Sequence, residues 1–246
     1  MQRKEDWFES WFDSPYYHLL YQHRDDLEAK EFIHRLMQFL PIAPHSNILD
    51  LACGKGRHAK YLHDLGYETT GLDLSKESIK IAQEFASEKL KFVVGDMRSF
   101  DLQEQFDAIC NLFTSFGYFN DQADNIRVLK QISLHLKPQG HLVIDYLNPN
   151  HASISESAVI KQTIEGIQFE TQKFIENQCV CKRIDVLDGN EVHHFMERVQ
   201  LLDLNWFKKH LHESGFEIQN TFGNYFLQPY DENSSQRMIL IAKKKN

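Results

Sequence analysis

The spacing of apolar residues changes character twice along this chain. Within residues 24–40, Ala29, Phe32, Ile33, Leu36, Met37 and Leu40 recur at i, i+3, i+4, i+7, i+8 and i+11. That is one face of a helix, and Pro41 and Pro44 close it. From Asn47 onward, short apolar runs alternate with helical periods. Strands are expected at 47–52, 67–74, 90–97, 106–113 and 141–147. One helix runs to about Leu65 and a second, N-capped by Ser75, to about Ser87. A third, capped by Asp121, carries Val128, Leu129, Ile132 and Leu136 and stops at Pro138 and Gly140. Strand and helix alternating in this way imply a parallel sheet with helices on both faces.

After Pro149 the pattern turns β-prone. Runs within 157–200 break at Glu165-Gly166, Asn177-Gln178 and Asp188-Gly189-Asn190, the last a strong hairpin signal. A helix at 204–214, stopped by Gly215, and strands at 216–222 and 238–242 then bring the earlier grammar back. The pattern predicts an α/β fold of seven core strands with an antiparallel β insertion.

Composition narrows the class. The chain has 246 residues, 42% of them hydrophobic and 25% charged, enough for one domain or one domain with an insertion. No apolar run reaches the roughly 18–20 residues of a membrane span. The opening Met1-Gln2-Arg3-Lys4-Glu5-Asp6 has no apolar segment, so no secretory signal is expected. Twenty-seven basic residues against 35 acidic ones give a net charge of −8, which argues against an electrostatic grip on nucleic acid or anionic lipid. Four cysteines in this length do not make a disulfide scaffold, and a reducing cytoplasm is the expected home. Cys179-x-Cys181 with His193-His194 offers zinc-type ligands, but C-x-C at strand spacing is not a zinc knuckle, and no metal site is expected.

The candidate chemistry begins where the first strand runs into glycines, Asp50-Leu51-Ala52-Cys53-Gly54-Lys55-Gly56-Arg57. Glycines at a strand-to-helix turn let a ligand approach the backbone, and the helix N-terminus behind them favours negative groups. Gly54-x-Gly56-x-x-Ala59 alone also fits a dinucleotide fingerprint. Two acids add to it. Asp73 ends the second strand, where a carboxylate can accept both hydroxyls of a ribose. Asp96, with Met97, ends the third, where a carboxylate can accept an adenine amino group. Ligands of open α/β sheets bind at the carboxyl ends of the strands, so these elements converge on one crevice.

With these motifs the sequence resembles the class I S-adenosylmethionine-dependent methyltransferases. The resemblance is carried by 49–58, by Gly71-Leu72-Asp73-Leu74-Ser75, by Gly95-Asp96-Met97-Arg98 and by Leu136-Lys137-Pro138-Gln139-Gly140. The run Asn111-Leu112-Phe113-Thr114-Ser115-Phe116-Gly117-Tyr118 is similar to the small-molecule branch, which includes nucleotide-sugar N,N-dimethyltransferases and glycine N-methyltransferase-like enzymes. It implies a Rossmann-like domain divided into an N-terminal helical lid (1–44), a cofactor-binding core (45–150), the insertion (151–202) and a closing helix with two strands (203–246). The implied cofactor is S-adenosyl-L-methionine, leaving as S-adenosyl-L-homocysteine. Asp50, Ala52, Cys53, Gly54 and Gly56 would line its methionine half. Asp73 would hold the ribose and Leu74 flank the adenine. Asp96 and Met97 would bind the adenine edge, and Asn111, Leu112 and Phe113 would lie near the sulfonium. Ala52 replaces the first glycine of the commonest motif form.

In similar enzymes an N-terminal helix with paired tyrosines folds over the cofactor, and Tyr17 and Tyr21 are i, i+4 neighbours on one face. Arg57 or Arg24 would pair with the methionine carboxylate. The expected reaction is in-line methyl transfer to an amine or hydroxyl of a small molecule, by a monomer or homodimer, with no nucleic-acid or membrane partner. A neutral amine needs no strong base; for other acceptors His18, His194 and Arg237 are the candidates, with His193 and Tyr225 near the substrate. The insertion, with Phe169, Phe174, Cys179, Cys181 and Phe195, is expected to roof a partly apolar chamber. The alternatives are a nucleic-acid base methyltransferase, a nicotinamide-dependent oxidoreductase and a non-catalytic S-adenosylmethionine-binding protein.

Overall fold

The computed structural model describes residues 6–22, 26–153 and 158–246. In chain order, α1 (Trp7–Phe12), α2 (Pro15–Leu20) and α3 (Asp26–Phe39) precede β1 (Asn47–Leu51), α4 (Arg57–Asp64), β2 (Glu68–Asp73), α5 (Lys76–Ala82) and β3 (Leu90–Val94). Then come β4 (Phe106–Asn111), α6 (Gln122–His135), β5 (Leu136–Leu147) and α7 (Pro149–Ser153). The insertion is β6 (Ile160–Ile164), β7 (Ile167–Glu176), β8 (Cys179–Asp188) and β9 (Glu191–Gln200). It is followed by α8 (Leu204–Glu213), β10 (Phe216–Phe222) and β11 (Arg237–Lys244).

Local chemistry sets the boundaries. Ser75 Oγ accepts from Ser78 N at 3.0 Å and Asp121 Oδ1 from Ala123 N at 2.9 Å, capping α5 and α6 as the sequence predicts. Asp203 caps α8 in the same way, accepting from Trp206 N at 2.7 Å. The helix expected to reach Ser87 stops at Ala82, and a 3₁₀ turn over Gln83–Phe85 replaces its last turn. The third strand ends at Val94, which leaves Gly95, Asp96 and Met97 in the loop beyond it.

Seven strands form one sheet in the order β10-β11-β5-β4-β1-β2-β3, with only β11 running against the others. The chain leaves β1 toward β3 and then crosses back to β4 on the other side of β1. The order therefore reverses between β1 and β4, where open α/β sheets bind ligands. Alternate residues of the central strands serve opposite faces. Leu49, Leu51, Ile109, Leu142 and Ile144 pack with α6 and α8, while Ile48, Ala108, Cys110 and Val143 pack with α3 and Leu62.

The four insertion strands form a separate antiparallel sheet, β6-β7-β8-β9. One of its faces is apolar. Phe169, Ile184 and Val186 are buried there against Trp11 of α1, itself 1% exposed. The two N-terminal helices are thus held between the insertion and the large sheet.

Candidate functional site

A cavity of about 430 Å³ lies over the carboxyl ends of the central strands, beneath the N-terminal helices. The loop after β1 contributes Ala52, Cys53, Gly54 and Lys55, and the start of α4 contributes Arg57. The ends of β2 and β3 contribute Asp73, Leu74, Asp96 and Met97, and the loop after β4 gives Leu112 and Phe113. Phe8, Phe12, Tyr17, His18 and Tyr21 face them from the N-terminal side. Twelve of the fifteen residues expected to bind cofactor therefore line one space; Asp50, Gly56 and Asn111 lie behind its wall.

The turn after β1 is wound tightly. Ala52 and Cys53 both donate their N–H to Leu72 O, at 2.7 and 3.0 Å, which folds the chain back over β2. Ala52 takes φ 63° to do so, so the alanine at this position is in the left-handed region where glycine is unstrained. Gly54 (φ 54°) has nothing within 4 Å of where a Cβ would project, leaving backbone open to the cavity. Gly56 (φ 78°) is the N-cap of α4, and a Cβ there would meet the Phe92 ring at 2.5 Å.

Asp73 ties this turn to the next one. Its Oδ2 accepts from Gly54 N at 2.7 Å and its Oδ1 from Ser75 N at 2.8 Å. Burial pushes its carboxyl above the usual range, while these N–H groups pull it back. Beneath the turn, Asp50 is 1% exposed and its Oδ2 has no hydrogen-bond partner among the described residues. Burial pushes the Asp50 carboxyl up to about 7, offset in part by the Ala59 N–H.

Asp96 is held by a residue to which the sequence assigned no role. Arg98 Nη2 donates to Asp96 Oδ2 at 2.7 Å and its Nε reaches both carboxylate oxygens at 3.0 Å. Its Nη1 donates to Asp6 at 2.9 Å and to Asp124 at 3.3 Å. Arg98 thereby joins the β3 loop, the segment entering α1 and the start of α6. The Phe8 and Phe119 rings lie over its guanidinium at 5.4 and 4.8 Å.

The N-terminal helices dock on both sides. Toward the core, Asp13 Oδ1 accepts from Ser75 Oγ at 2.7 Å and from Glu77 N at 3.0 Å, at the start of α5. Toward the insertion, Glu197 Oε1 accepts from Trp11 Nε1 and from Tyr21 Oη, both at 2.8 Å. Lys182 Nζ donates to Tyr21 Oη at 2.8 Å. Tyr21 therefore gives its ring to the cavity and its hydroxyl to the insertion. His18 lines the cavity, and among the described residues neither of its ring nitrogens has a hydrogen-bond partner. Burial, and then the Lys55 ammonium, lower its pKa below the ordinary histidine value.

The other candidates lie elsewhere. His194 is 74% exposed in its side chain and pairs with Asp185 at 2.7 Å on the insertion; His193 contacts Tyr16 Oη at 3.0 Å. Arg237 is engaged by Asp145, as is Tyr225 Oη at 3.1 Å, and neither residue lines the cavity. Asn111 Nδ2 braces the wall from behind by donating to Leu51 O at 3.0 Å and Ser115 O at 3.3 Å. Arg24 lies outside the described residues. The expected roof is corrected: no residue of 158–200 lines the cavity, because the apolar face of the insertion is spent on Trp11. The roof is α1 and α2, and the insertion supports them from outside.

Comparison with known proteins gives a consistent family. A methyltransferase-domain model matches residues 42–200. The dTDP-3-amino-3,6-dideoxy-α-D-glucopyranose N,N-dimethyltransferase of Streptomyces fradiae is 33% identical over 100 residues, 41% of this chain and 39% of that one. The glycine/sarcosine N-methyltransferase of Aphanothece halophytica is 27% identical over 206 residues, covering 80% of this chain and 76% of that one. The chain spans about half or less of the length of the curated relatives it matches first, 51% of one from Bacillus subtilis. Among solved structures, an S-adenosylmethionine-dependent methyltransferase from Clostridium acetobutylicum superposes with a TM-score of 0.77 at 21% identity, covering 94% of this chain and 96% of that one. The sugar N-methyltransferase KedS8 of Streptoalloteichus gives 0.75 at 23% identity, covering 94% and 93%. At these identities the two structures establish a shared fold.

Proposed function

The chain belongs to the S-adenosylmethionine-dependent methyltransferase family, whose domain model spans residues 42–200, and on that premise we propose that it methylates an amine or hydroxyl of a small-molecule acceptor. The cavity residues suit the cofactor. Gly54 leaves backbone open to it, Asp73 and Asp96 place two carboxylates at adjacent strand ends, and Asp50 has a buried oxygen without a partner beneath the turn. In this reading Asp73 holds the ribose hydroxyls, Asp96 and Met97 the adenine edge, and the turn from Ala52 to Gly54 the methionine half.

The chemistry such a cofactor supplies is an electrophilic methyl carbon on a sulfonium, open to in-line displacement. The chain's part is to orient the acceptor and exclude water, an effect of about 7–11 kcal/mol in well-oriented systems. Phe12, Tyr17 and Phe113 give the cavity apolar and aromatic walls for that purpose. His18 is the group we assign to take the acceptor's proton. It lines the cavity, its nitrogens have no other partner among the described residues, and burial favours its neutral form.

The sugar-amine specificity of the Streptomyces fradiae relative makes amino sugars the first acceptors to screen. The observation that carries the reading is the convergence of the glycine turn, Asp73 and Asp96 on one cavity. The deciding experiment is calorimetric titration of ligand-stripped protein with S-adenosylhomocysteine and S-adenosylmethionine, with NAD as the control. We expect binding of the first two, weakened at least about tenfold by Asp73→Ala, as for the loss of a charge-assisted hydrogen bond. Binding of NAD and of neither methionine derivative would overturn it.

A further inference from the structure

Two consecutive residues of the cavity-wall loop, Phe113 (φ 57°) and Thr114 (φ 60°), stand in the left-handed region, and neither is glycine. For a bulky residue followed by a β-branched one this is an unfavourable pair, sustained only when surrounding groups over-determine it. Asp145, Arg237 and Tyr225 do so. Phe113 N donates to Asp145 Oδ2 at 2.8 Å, and Thr114 N donates to Asp145 O at 2.9 Å. Arg237 donates from Nε to Asp145 Oδ1 at 2.8 Å and from Nη2 to Thr114 Oγ1 at 2.8 Å. Tyr225 Oη donates to Asp145 Oδ2 at 3.1 Å, and its ring is stacked on Phe113 at 5.3 Å between centroids. Asp145 is fully buried, so its charge is met by one guanidinium, a hydroxyl and a backbone N–H, with little water to replace them.

We propose that Asp145 and Arg237 are positioning residues: outside the cavity themselves, they clamp Phe113 and Thr114 in the left-handed conformation and so fix the Phe113 ring as a cavity wall. The alternative role for Arg237, direct contact with the acceptor, is set aside because its planar fork is already divided between Asp145 and Thr114. The ring that the clamp fixes lies beneath the Arg57 guanidinium at 4.9 Å and against His58 at 4.9 Å. A loop that relaxed toward ordinary φ values would move all three groups relative to Asp73.

Two mild variants test this. Thr114→Val keeps the β-branched shape and the ion pair but removes the oxygen that Arg237 reaches. Arg237→Lys keeps the charge but cannot span both partners. Amide hydrogen exchange at Phe113 and Thr114 reads the clamp directly, with Ile109 in β4 as the reference for global opening. In both variants the two loop amides should exchange about fivefold to tenfold faster, as expected for one lost hydrogen bond, while Ile109 does not change. The second readout rests on the cofactor reading above: S-adenosylhomocysteine affinity in the same variants should fall by a similar factor. Unchanged loop exchange, or loop and Ile109 accelerating together, would overturn the clamp. Faster loop exchange with unchanged affinity would overturn its role in shaping the site. If wild-type protein binds neither S-adenosylhomocysteine nor S-adenosylmethionine, the cofactor reading and the role in its site fall, and the exchange arm still decides the clamp.

Discussion

Asp50 is buried beneath the glycine turn, with one oxygen bonded to the Ala59 N–H and the other unpartnered. Its carboxyl is raised from 3.8 to about 7 by burial, so the folded protein binds a proton that the unfolded chain releases. Between those two values stability falls as pH rises, because the unfolded state binds fewer protons there. Asp50→Asn keeps an oxygen for Ala59 and removes the buried charge. Ligand-free protein carrying it should be more stable at pH 8 by about 1–3 kcal/mol, the scale of an unsatisfied buried group, and should lose the slope between pH 4 and 7. Thermal melts across that range check it; a melting temperature at pH 8 no higher than wild type would reject it. The His18 ring should titrate below 6.5 by NMR, because burial and Lys55 both disfavour its charged form. With an acceptor in hand, the rate should rise through that value and then level off. His18→Asn should abolish this limb and lower kcat about 10²-fold, the low end of general base catalysis. A histidine titrating at or above 6.5 would contradict the assignment.

Among the elements, α1 and α2 depend most on distant partners. Trp11 and Tyr21 share Glu197, 186 and 176 residues away, and Asp13 reaches Ser75, 62 residues away. Glu197→Ala removes two hydrogen bonds from the lid without touching the cavity, each worth about 1 kcal/mol. It should red-shift the tryptophan emission, since two of the three tryptophans, Trp7 and Trp11, are in α1. It should also weaken S-adenosylhomocysteine binding about fivefold to tenfold at little cost to the melting temperature of the core. An unshifted emission with unchanged affinity would show that the lid does not need this tie. The same contacts mark what the sequence conceals. Strands and helices of the large sheet follow from local periodicity and caps such as Ser75 and Asp121, which need only near neighbours. Tyr17 and Tyr21 both line the cavity, but the turn of the Tyr21 hydroxyl toward the insertion is not legible, because its partners Glu197 and Lys182 are joined to it only by folding. Arg98 was visible two residues beyond Asp96, yet nothing in that spacing announces Asp6 and Asp124.

For the molecule as a whole, two sheets hold a pair of short helices between them, and the insertion also meets the core directly where Gln200 of β9 bonds to Asn125 and Phe119. The large sheet carries the reversal of strand order and the carboxylates at its strand ends, and only the second of these was legible, in the glycine turn and the two acids. The role of the insertion was not legible. Its aromatic and cysteine residues suggest one chamber, but the register divides them between the two faces, and Trp11 occupies the face of Phe169, Ile184 and Val186. The charge of −8 fits this organisation: the acids include those that Arg98 gathers and those that anchor the lid. A separation of labour follows. Most positions of β6, which is exposed along nearly its whole length, touch neither the lid nor the cavity. Substitutions along this edge therefore leave the cavity and the lid in place, whereas changes at Glu197, Lys182 or the Trp11 pocket reach the lid directly.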